Sequence, residues 1–82
     1  MADRQLSIRI LTPECTLFEG VASAVSLPGA FAPFEVLPGH APIISTLEKG
    51  IIRIASSEET SFEIIRGVVR VRDNQVTVCA EI

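Results

Sequence analysis

The side chains of this 82-residue chain best suited to nucleophilic or metal chemistry are its single histidine, His40, and its two cysteines, Cys15 and Cys79. A cysteine beside the histidine would form a nucleophile and base pair. Both cysteines, however, fall in predicted strands, where a free cysteine normally packs as a small buried hydrophobe. One histidine and two distant cysteines also match no zinc-ligand spacing. We therefore expect no covalent catalysis and no metal site, and a disulfide has no support.

Two adjacent acids, Glu58 and Glu59, have the chemistry of a general acid and base. They fall at a predicted hairpin tip, where neighbouring carboxylates are usually solvated. The chain also has no glycine-rich phosphate loop, because Pro28-Gly29 and Pro38-Gly39 are turn pairs that do not open a helix. We expect a protein that is not an enzyme and holds no cofactor. A small hydrolase that uses His40 with a cysteine is the remaining catalytic alternative.

The histidine lies in a stiff segment, Leu37-Pro38-Gly39-His40-Ala41-Pro42. Pro38-Gly39 suits the central positions of a type II turn, because proline presets φ and glycine accepts the positive φ that follows. Pro42 favours extended geometry at the residue before it. A segment so restricted loses little entropy when a partner docks, which favours a docking surface. The alternative is a plain turn whose histidine caps a neighbouring carbonyl.

Length and charge exclude several classes of partner. The chain suffices for one hydrophobic core, so we expect a single domain over residues 1–82. A net charge of −3, with the basic residues scattered, argues against nucleic acid as a ligand. The longest uncharged run, residues 20–34, is too short for a membrane span, and no secretory signal opens the chain. Function in a reducing compartment, with free thiols, is expected.

Turn residues recur every seven to eleven positions, and short alternating runs lie between them. This pattern is typical of an all-β fold, and we predict a small β-sandwich or flattened barrel of about eight to ten short, mainly antiparallel strands. Hairpins are expected at Ser57–Thr60 and at Asp73-Asn74. A helix over residues 51–66 is a weaker alternative, because the polar stretch from Ser56 to Ser61 interrupts its apolar stripe. The residues predicted to share a face within each strand are Leu6, Ile8 and Ile10; Val21, Ser23, Val25 and Leu27; Ile52 and Ile54; Phe62 and Ile64; Val69 and Val71; Val76 and Val78.

The segment from Leu27 to Pro42 is rich in proline and glycine. We expect an ordered loop system, because four apolar side chains, those of Phe31, Phe34, Val36 and Leu37, would anchor it. Such aromatic residues belong either to the closing edge of the core or to a recognition patch.

Several motifs together resemble the epsilon subunit of F-type ATP synthases. Their order and spacing agree along nearly the whole chain, although each motif alone is weak. The segments that carry the resemblance are Pro13-Glu14 with Leu17–Gly20, Val25–Gly29, Leu37–Ile44, Leu47–Ile54, and Gly67–Val69 with Val71 and Asn74–Cys79.

The resemblance implies a β-sandwich in the central stalk, the rotor that couples proton flow through the membrane c-ring to ATP synthesis. Such a subunit belongs to a hetero-oligomer, catalyses nothing itself, and lies peripherally on the cytoplasmic side of the cell inner membrane without inserting into it. By the same resemblance, the residues expected to contact the gamma subunit are Thr12, Pro38, Gly39, His40, Ala41 and Ser45. Those expected to contact the c-ring are Ala30, Phe31, Ala32, Pro33, Phe34 and Glu35.

The ring-facing loop departs from the family pattern. Many relatives have an acidic residue where this chain has Pro33. If the segment is extended, Glu35 points to the same side, and we hypothesise that it supplies the missing charge toward basic residues of the ring.

A second departure is the last residue, Ile82, where relatives commonly continue into two helices that restrain ATP hydrolysis. The resemblance therefore implies a short form without that inhibitory hairpin or a nucleotide site. The alternative to a rotor subunit is a generic β-sandwich module that binds protein, and a test with the gamma subunit separates the two.

Overall fold

Nine β-strands make up the regular structure of residues 5–82, the part of the chain that this computed structural model describes. Most of them alternate buried and exposed side chains, as a strand does when one face lies on a core. Their bounds are β1 Leu6–Leu11, β2 Thr16–Ala22, β3 Ala24–Leu27, β4 Phe34–Val36, β5 Ile43–Leu47, β6 Gly50–Ala55, β7 Thr60–Ile64, β8 Arg66–Arg72 and β9 Gln75–Glu81.

The strands form two sheets that pack as a sandwich. The larger sheet has the order β2-β1-β9-β8-β5, and the smaller sheet has the order β4-β3-β6-β7. Neighbours are antiparallel, with the single exception of β1 and β9, which run parallel with Ser7 opposite Gln75 and Leu11 opposite Cys79. The predicted all-β sandwich is confirmed. The helical alternative for residues 51–66 is wrong, because β6 and β7 pair there as a hairpin.

The core lies between the two sheets and is aliphatic. All buried side chains within residues 5–82 are hydrophobic. The inward faces predicted for β1, β6, β8 and β9 are confirmed, and Phe62 in β7 packs partly buried against the same cluster. The largest side chains with almost no exposure are Leu6, Ile8, Ile10, Leu27, Ile52, Ile54, Val25, Val36, Val69, Val71, Val76 and Val78.

The shared face predicted for residues 21–27 is wrong. That run contains two strands of different sheets, and the chain crosses between them at Ser23. Ser23 donates from its backbone N–H and from its hydroxyl to the carbonyl of Ala55, at 2.9 and 3.0 Å. Because the crossing interrupts the alternation, Val21 is 51% exposed whereas Val25 is buried.

The predicted turns are present. Asp73 and Asn74 join β8 to β9 with φ of 52° and 61°, the left-handed values of a two-residue type I′ hairpin turn. Gly39 has a φ of 87°, and the His40 N–H donates to the Leu37 carbonyl at 3.1 Å, as a type II turn over Pro38-Gly39 requires. The other hairpin joins β6 to β7 through exposed residues 56–59.

The strand registers sort the loops into two ends of the sandwich. Leu11, Cys79, Val68 and Thr46 stand side by side across the larger sheet, so the segments that follow or precede them lie at the same end. This end, which we call the Phe31 end, contains the Thr12–Cys15 turn, the loop of residues 28–33 and the Glu48-Lys49 turn. At the other, the His40 end, lie the turn of residues 38–40 and the Asp73-Asn74 turn.

Candidate functional site

The two cysteines are exposed and free, so the expectation that both are buried is wrong. Cys15 lies in the turn after β1, where its N–H donates to the Thr12 hydroxyl at 3.1 Å. Cys79 lies in β9 on the outer face of the larger sheet, because its neighbours Val78 and Ala80 point inward. Both thiols are near the Phe31 end and His40 is at the other end, so no nucleophile and base pair is assembled.

The turn of residues 38–40 is fixed by a contact with another turn. The Gly39 N–H donates to Asn74 Oδ1 at 2.7 Å, and the Asn74 carbonyl accepts the N–H of Ser7 at 2.8 Å. His40 is half-buried, and its Nδ1 lies 2.7 Å from the Ala41 carbonyl. Since a carbonyl only accepts, Nδ1 carries the proton, and in the neutral ring Nε2 is left as an acceptor. The carbonyl-capping role weighed for this histidine is thus present in the structure.

The loop of residues 28–33 presents one aromatic side chain to solvent, and β4, which follows the loop, begins with another that packs on the core. Phe31 is fully exposed, whereas Phe34 is half-buried against the core cluster. Val36 is buried and Leu37 is half-exposed. The expectation that all four anchor the segment holds for Phe34 and Val36 and is wrong for Phe31 and Leu37.

The remaining residues expected at this loop are exposed or half-exposed. Ala30 is half-buried, and Ala32 and Pro33 are exposed. Glu35 stands on β4 opposite Ser26, so its side chain projects from the outer face of the smaller sheet. Glu35 forms no ion pair with any residue in 5–82.

An open groove on the outer face of the larger sheet is a feature that the sequence reasoning missed. A row of side chains from Leu11, Cys79, Val68 and Thr46 forms its floor, and its volume is about 700 Å³. We call this feature the outer groove. Val68 is 43% exposed, and Ile44, one row away on β5, is 75% exposed.

Polar side chains border the outer groove. The Arg66 Nε lies 2.7 Å from Glu81 Oε2 along one margin. On the other side, the next row across the sheet places Arg70 between Ile44 and Thr77. An apolar centre with a polar rim is the usual anatomy of a protein interface. The sequence does contain a sign of this apolar outer face, because adjacent apolar residues such as Ile43-Ile44 and Val68-Val69 place one side chain on each face of a strand.

The structure brings together only some of the residues predicted to contact one partner. Thr12 lines the outer groove. Ser45 is half-buried on β5 opposite Val69, so it faces inward at the edge of the larger sheet. The turn of residues 38–40 lies at the other end, about 17 Å from Thr12 along β1. A partner that touches all of them must extend along the larger sheet.

The described residues include no cluster of three histidine, cysteine, aspartate or glutamate side chains placed to hold a metal ion. Nor does this part of the chain contain a helix of the length and hydrophobicity that crossing a bilayer requires.

Comparison with known sequences places the chain in a family. The family model described as the ATP synthase delta/epsilon chain β-sandwich domain matches residues 5–82. The ATP synthase epsilon chain of Pelotomaculum thermopropionicum is 38% identical over 81 residues, which are 98% of this chain and 60% of that protein. The epsilon chain of Synechococcus elongatus is 34% identical over 74 residues, 89% of this chain and 54% of that protein. The chain thus spans between half and two thirds of the length of these relatives.

Solved structures share the fold. A chain of the Euglena gracilis mitochondrial ATP synthase, in an assembly of OSCP, F1 and c-ring, superposes with a TM-score of 0.89 at 17% identity, covering 98% of this chain and 52% of that one. A chain from the central stalk and c-ring of the Tetrahymena thermophila enzyme gives 0.81 at 15% identity, covering 100% of this chain and 67% of that one. With the family match over residues 5–82, these observations establish that the chain belongs to the ATP synthase delta/epsilon β-sandwich family.

Proposed function

We propose that this chain is a non-catalytic part of the rotor of a proton-translocating F-type ATP synthase, where it links the gamma subunit to the membrane c-ring. The family match carries the proposal, and the outer groove supports it with a surface suited to a protein partner. In this role the domain lies peripherally at the cell inner membrane, on the cytoplasmic side, as part of the complex. The generic binding module is not favoured, because it gives no reason for a match over residues 5–82.

The gamma subunit docks along the outer face of the larger sheet. Three observations favour this face: the apolar floor of the outer groove, the exposed Ile44 beside it, and Thr12 at its margin. The contact continues to the turn of residues 38–40, which the hydrogen bond to Asn74 holds in one position. A stable interface buries about 800 Å² on each partner, so the groove is its centre and the flanking polar residues are its rim.

The mechanical role requires a body that does not deform under torque. The core of residues 5–82 favours such rigidity, because it consists of branched aliphatic side chains with almost no exposure. Close-packed protein interiors have low compressibility. Torque applied at the larger sheet therefore reaches the loop of residues 28–33 without being lost in bending, and that loop, with Glu35, contacts the c-ring.

A binding experiment with purified gamma subunit tests the proposal. The wild-type chain should form a stable one-to-one complex. Ile44→Asp should lower the affinity for gamma at least about tenfold, because the side chain at position 44 loses its water on docking and a carboxylate is costly to dehydrate. Ile51→Asp is the matched control, because Ile51 is 41% exposed on the outer face of the smaller sheet. It should bind as the wild type does.

Thiol protection locates the contact independently. In a Cys15→Ser variant the only thiol is Cys79, which lines the outer groove. Its alkylation should be rapid in the free chain and strongly slowed in the complex with gamma. Failure of the wild type to bind gamma would overturn the proposed function. Binding with Cys79 still fully reactive would show that gamma docks on another face.

A further inference from the structure

Phe31 is the most exposed large hydrophobic side chain in residues 5–82. Its exposed fraction is 106%, and the next, that of Ile44, is 75%. A phenylalanine held entirely in water forgoes the favourable burial that Phe34, three residues later, obtains in part against the core. The sequence places this side chain where the fold itself gains nothing from it. A few well-placed side chains carry most of the binding energy of a protein interface, and an exposed phenyl ring offers a large apolar area for that role.

The loop that carries Phe31 is held in place. Its base is bonded to the β5 strand and the turn after it, because the Ala30 N–H donates to the Thr46 carbonyl at 3.2 Å and the Glu48 N–H to the Pro28 carbonyl at 2.9 Å. The loop also folds closely over Gly29, where an added Cβ would lie 2.6 Å from the Ala32 carbonyl oxygen. A side chain presented on a fixed loop loses less conformational entropy on binding than one on a mobile loop.

The charges around the loop indicate the chemistry of the occupant. No charged residue occurs from position 20 to 34, so the tip itself is apolar. Besides the Arg66–Glu81 pair, the charges at this end are those of Glu14, Glu35, Glu48 and Lys49, and none of these four forms an ion pair within residues 5–82. Stable attachment to an anionic bilayer needs several basic residues beside the apolar group, and here acids outnumber bases. The surroundings therefore fit a protein crevice for one phenyl ring, with basic groups at its rim.

We propose that Phe31 anchors this domain to the c-ring by inserting its phenyl ring into an apolar crevice among the ring's exposed loops. The inference rests on the proposed function, because that function names the ring as the partner at the Phe31 end. It changes the chemistry of the contact from one based on charge to one whose central element is a buried aromatic side chain. Glu35 and Glu48 then act at the rim, where they orient the approach and contribute less to affinity.

The experiment measures binding of the complex of this chain with gamma to purified, detergent-solubilised c-ring from the same ATP synthase. Phe31→Ser should bind the ring about ten- to a hundredfold more weakly, since it removes the burial of a phenyl ring. Phe31→Leu should retain most of the affinity. Leu37→Ser is the matched control, because Leu37 is 50% exposed and lies away from the loop. All three variants should unfold at wild-type midpoints, and both Phe31 variants should bind gamma normally.

The outcomes separate this inference from the function on which it rests. Wild-type ring binding by Phe31→Ser, with gamma and ring both bound by the unchanged chain, would overturn the anchor and leave the rotor role intact. If the wild-type chain binds neither gamma nor the ring, both the rotor role and the anchor are wrong. Three other results also contradict the proposal: Phe31→Ser weakening gamma binding instead, Phe31-dependent binding to phosphatidylglycerol vesicles without ring, or Phe31-dependent self-association of the chain.

Discussion

Asn74 connects two turns and one strand at the His40 end, so its replacement should separate the stability of the fold from the order of the docking turn. Its side-chain oxygen accepts the Gly39 N–H at 2.7 Å, and its backbone carbonyl accepts the N–H of Ser7. Its φ of 61° is left-handed, a conformation that costs an ordinary L-residue about 1–2 kcal/mol. Three substitutions, to Ala, Gly and Asp, change these contributions separately.

The magnitudes follow from these contacts. Asn74→Ala loses a hydrogen bond worth about 1 kcal/mol and places alanine, which disfavours positive φ, in a left-handed position. The free energy of unfolding should therefore fall by about 2 kcal/mol in total. Asn74→Gly loses the same bond but produces Asp-Gly, which suits a type I′ turn, so its stability should change by less than about 0.5 kcal/mol. Asn74→Asp retains an acceptor and should stay within about 1 kcal/mol of wild type.

Urea unfolding gives the stability, and titration with gamma subunit gives the affinity. Asn74→Gly should bind gamma about fivefold more weakly although its stability is nearly unchanged, because the turn of residues 38–40 must then be ordered on docking. Asn74→Asp should bind close to wild type. Equal stability losses in the Gly and Ala variants would refute the account of the left-handed turn. Unchanged gamma affinity in Asn74→Gly would refute the idea that Asn74 orders the docking turn.

Two further predictions concern burial. Ile52→Ala should lower the free energy of unfolding by about 2–5 kcal/mol, whereas Ile51→Ala, one residue earlier in β6, should cost less than about 1 kcal/mol, because Ile52 is fully buried and Ile51 is 41% exposed. Urea denaturation measures both, and similar costs would contradict the assigned faces of β6. In the free folded chain Cys15 and Cys79 should both react with a small thiol reagent without prior unfolding, and a thiol that reacts only in denaturant would contradict the exposure of both.

Sequence alone predicted those parts of the fold that depend on local pattern. The alternation at Leu6, Ile8 and Ile10 identified an inward face, because a period of two has only two possible assignments and the apolar one faces the core. The turns at Pro38-Gly39 and Asp73-Asn74 were predictable because few residues accept the required φ values.

Other features depend on contacts between distant segments, and local pattern does not encode them. The crossing at Ser23 continues an alternating run, so only the pairing of β2 and β3 with different sheets reveals it. Strand register alone brings Cys79 beside Leu11 and Val68, and so assembles an apolar row from three strands. The length of chain between Thr12 and His40 likewise gives no indication that they lie at opposite ends.

The parallel pairing of β1 with β9 has a consequence for biogenesis. β1 occupies an interior position in the larger sheet, yet one of its edges stays unpaired until β9 arrives, because Ser7 pairs with Gln75. Contacts so distant along a chain form slowly, and an open strand edge invites aggregation in the meantime. During translation the nascent polypeptide therefore cannot complete its sheet before β9 has left the ribosome. Its incorporation into a larger assembly as a finished sandwich must then wait for β9, and chaperone demand should be greatest before that strand becomes available for pairing.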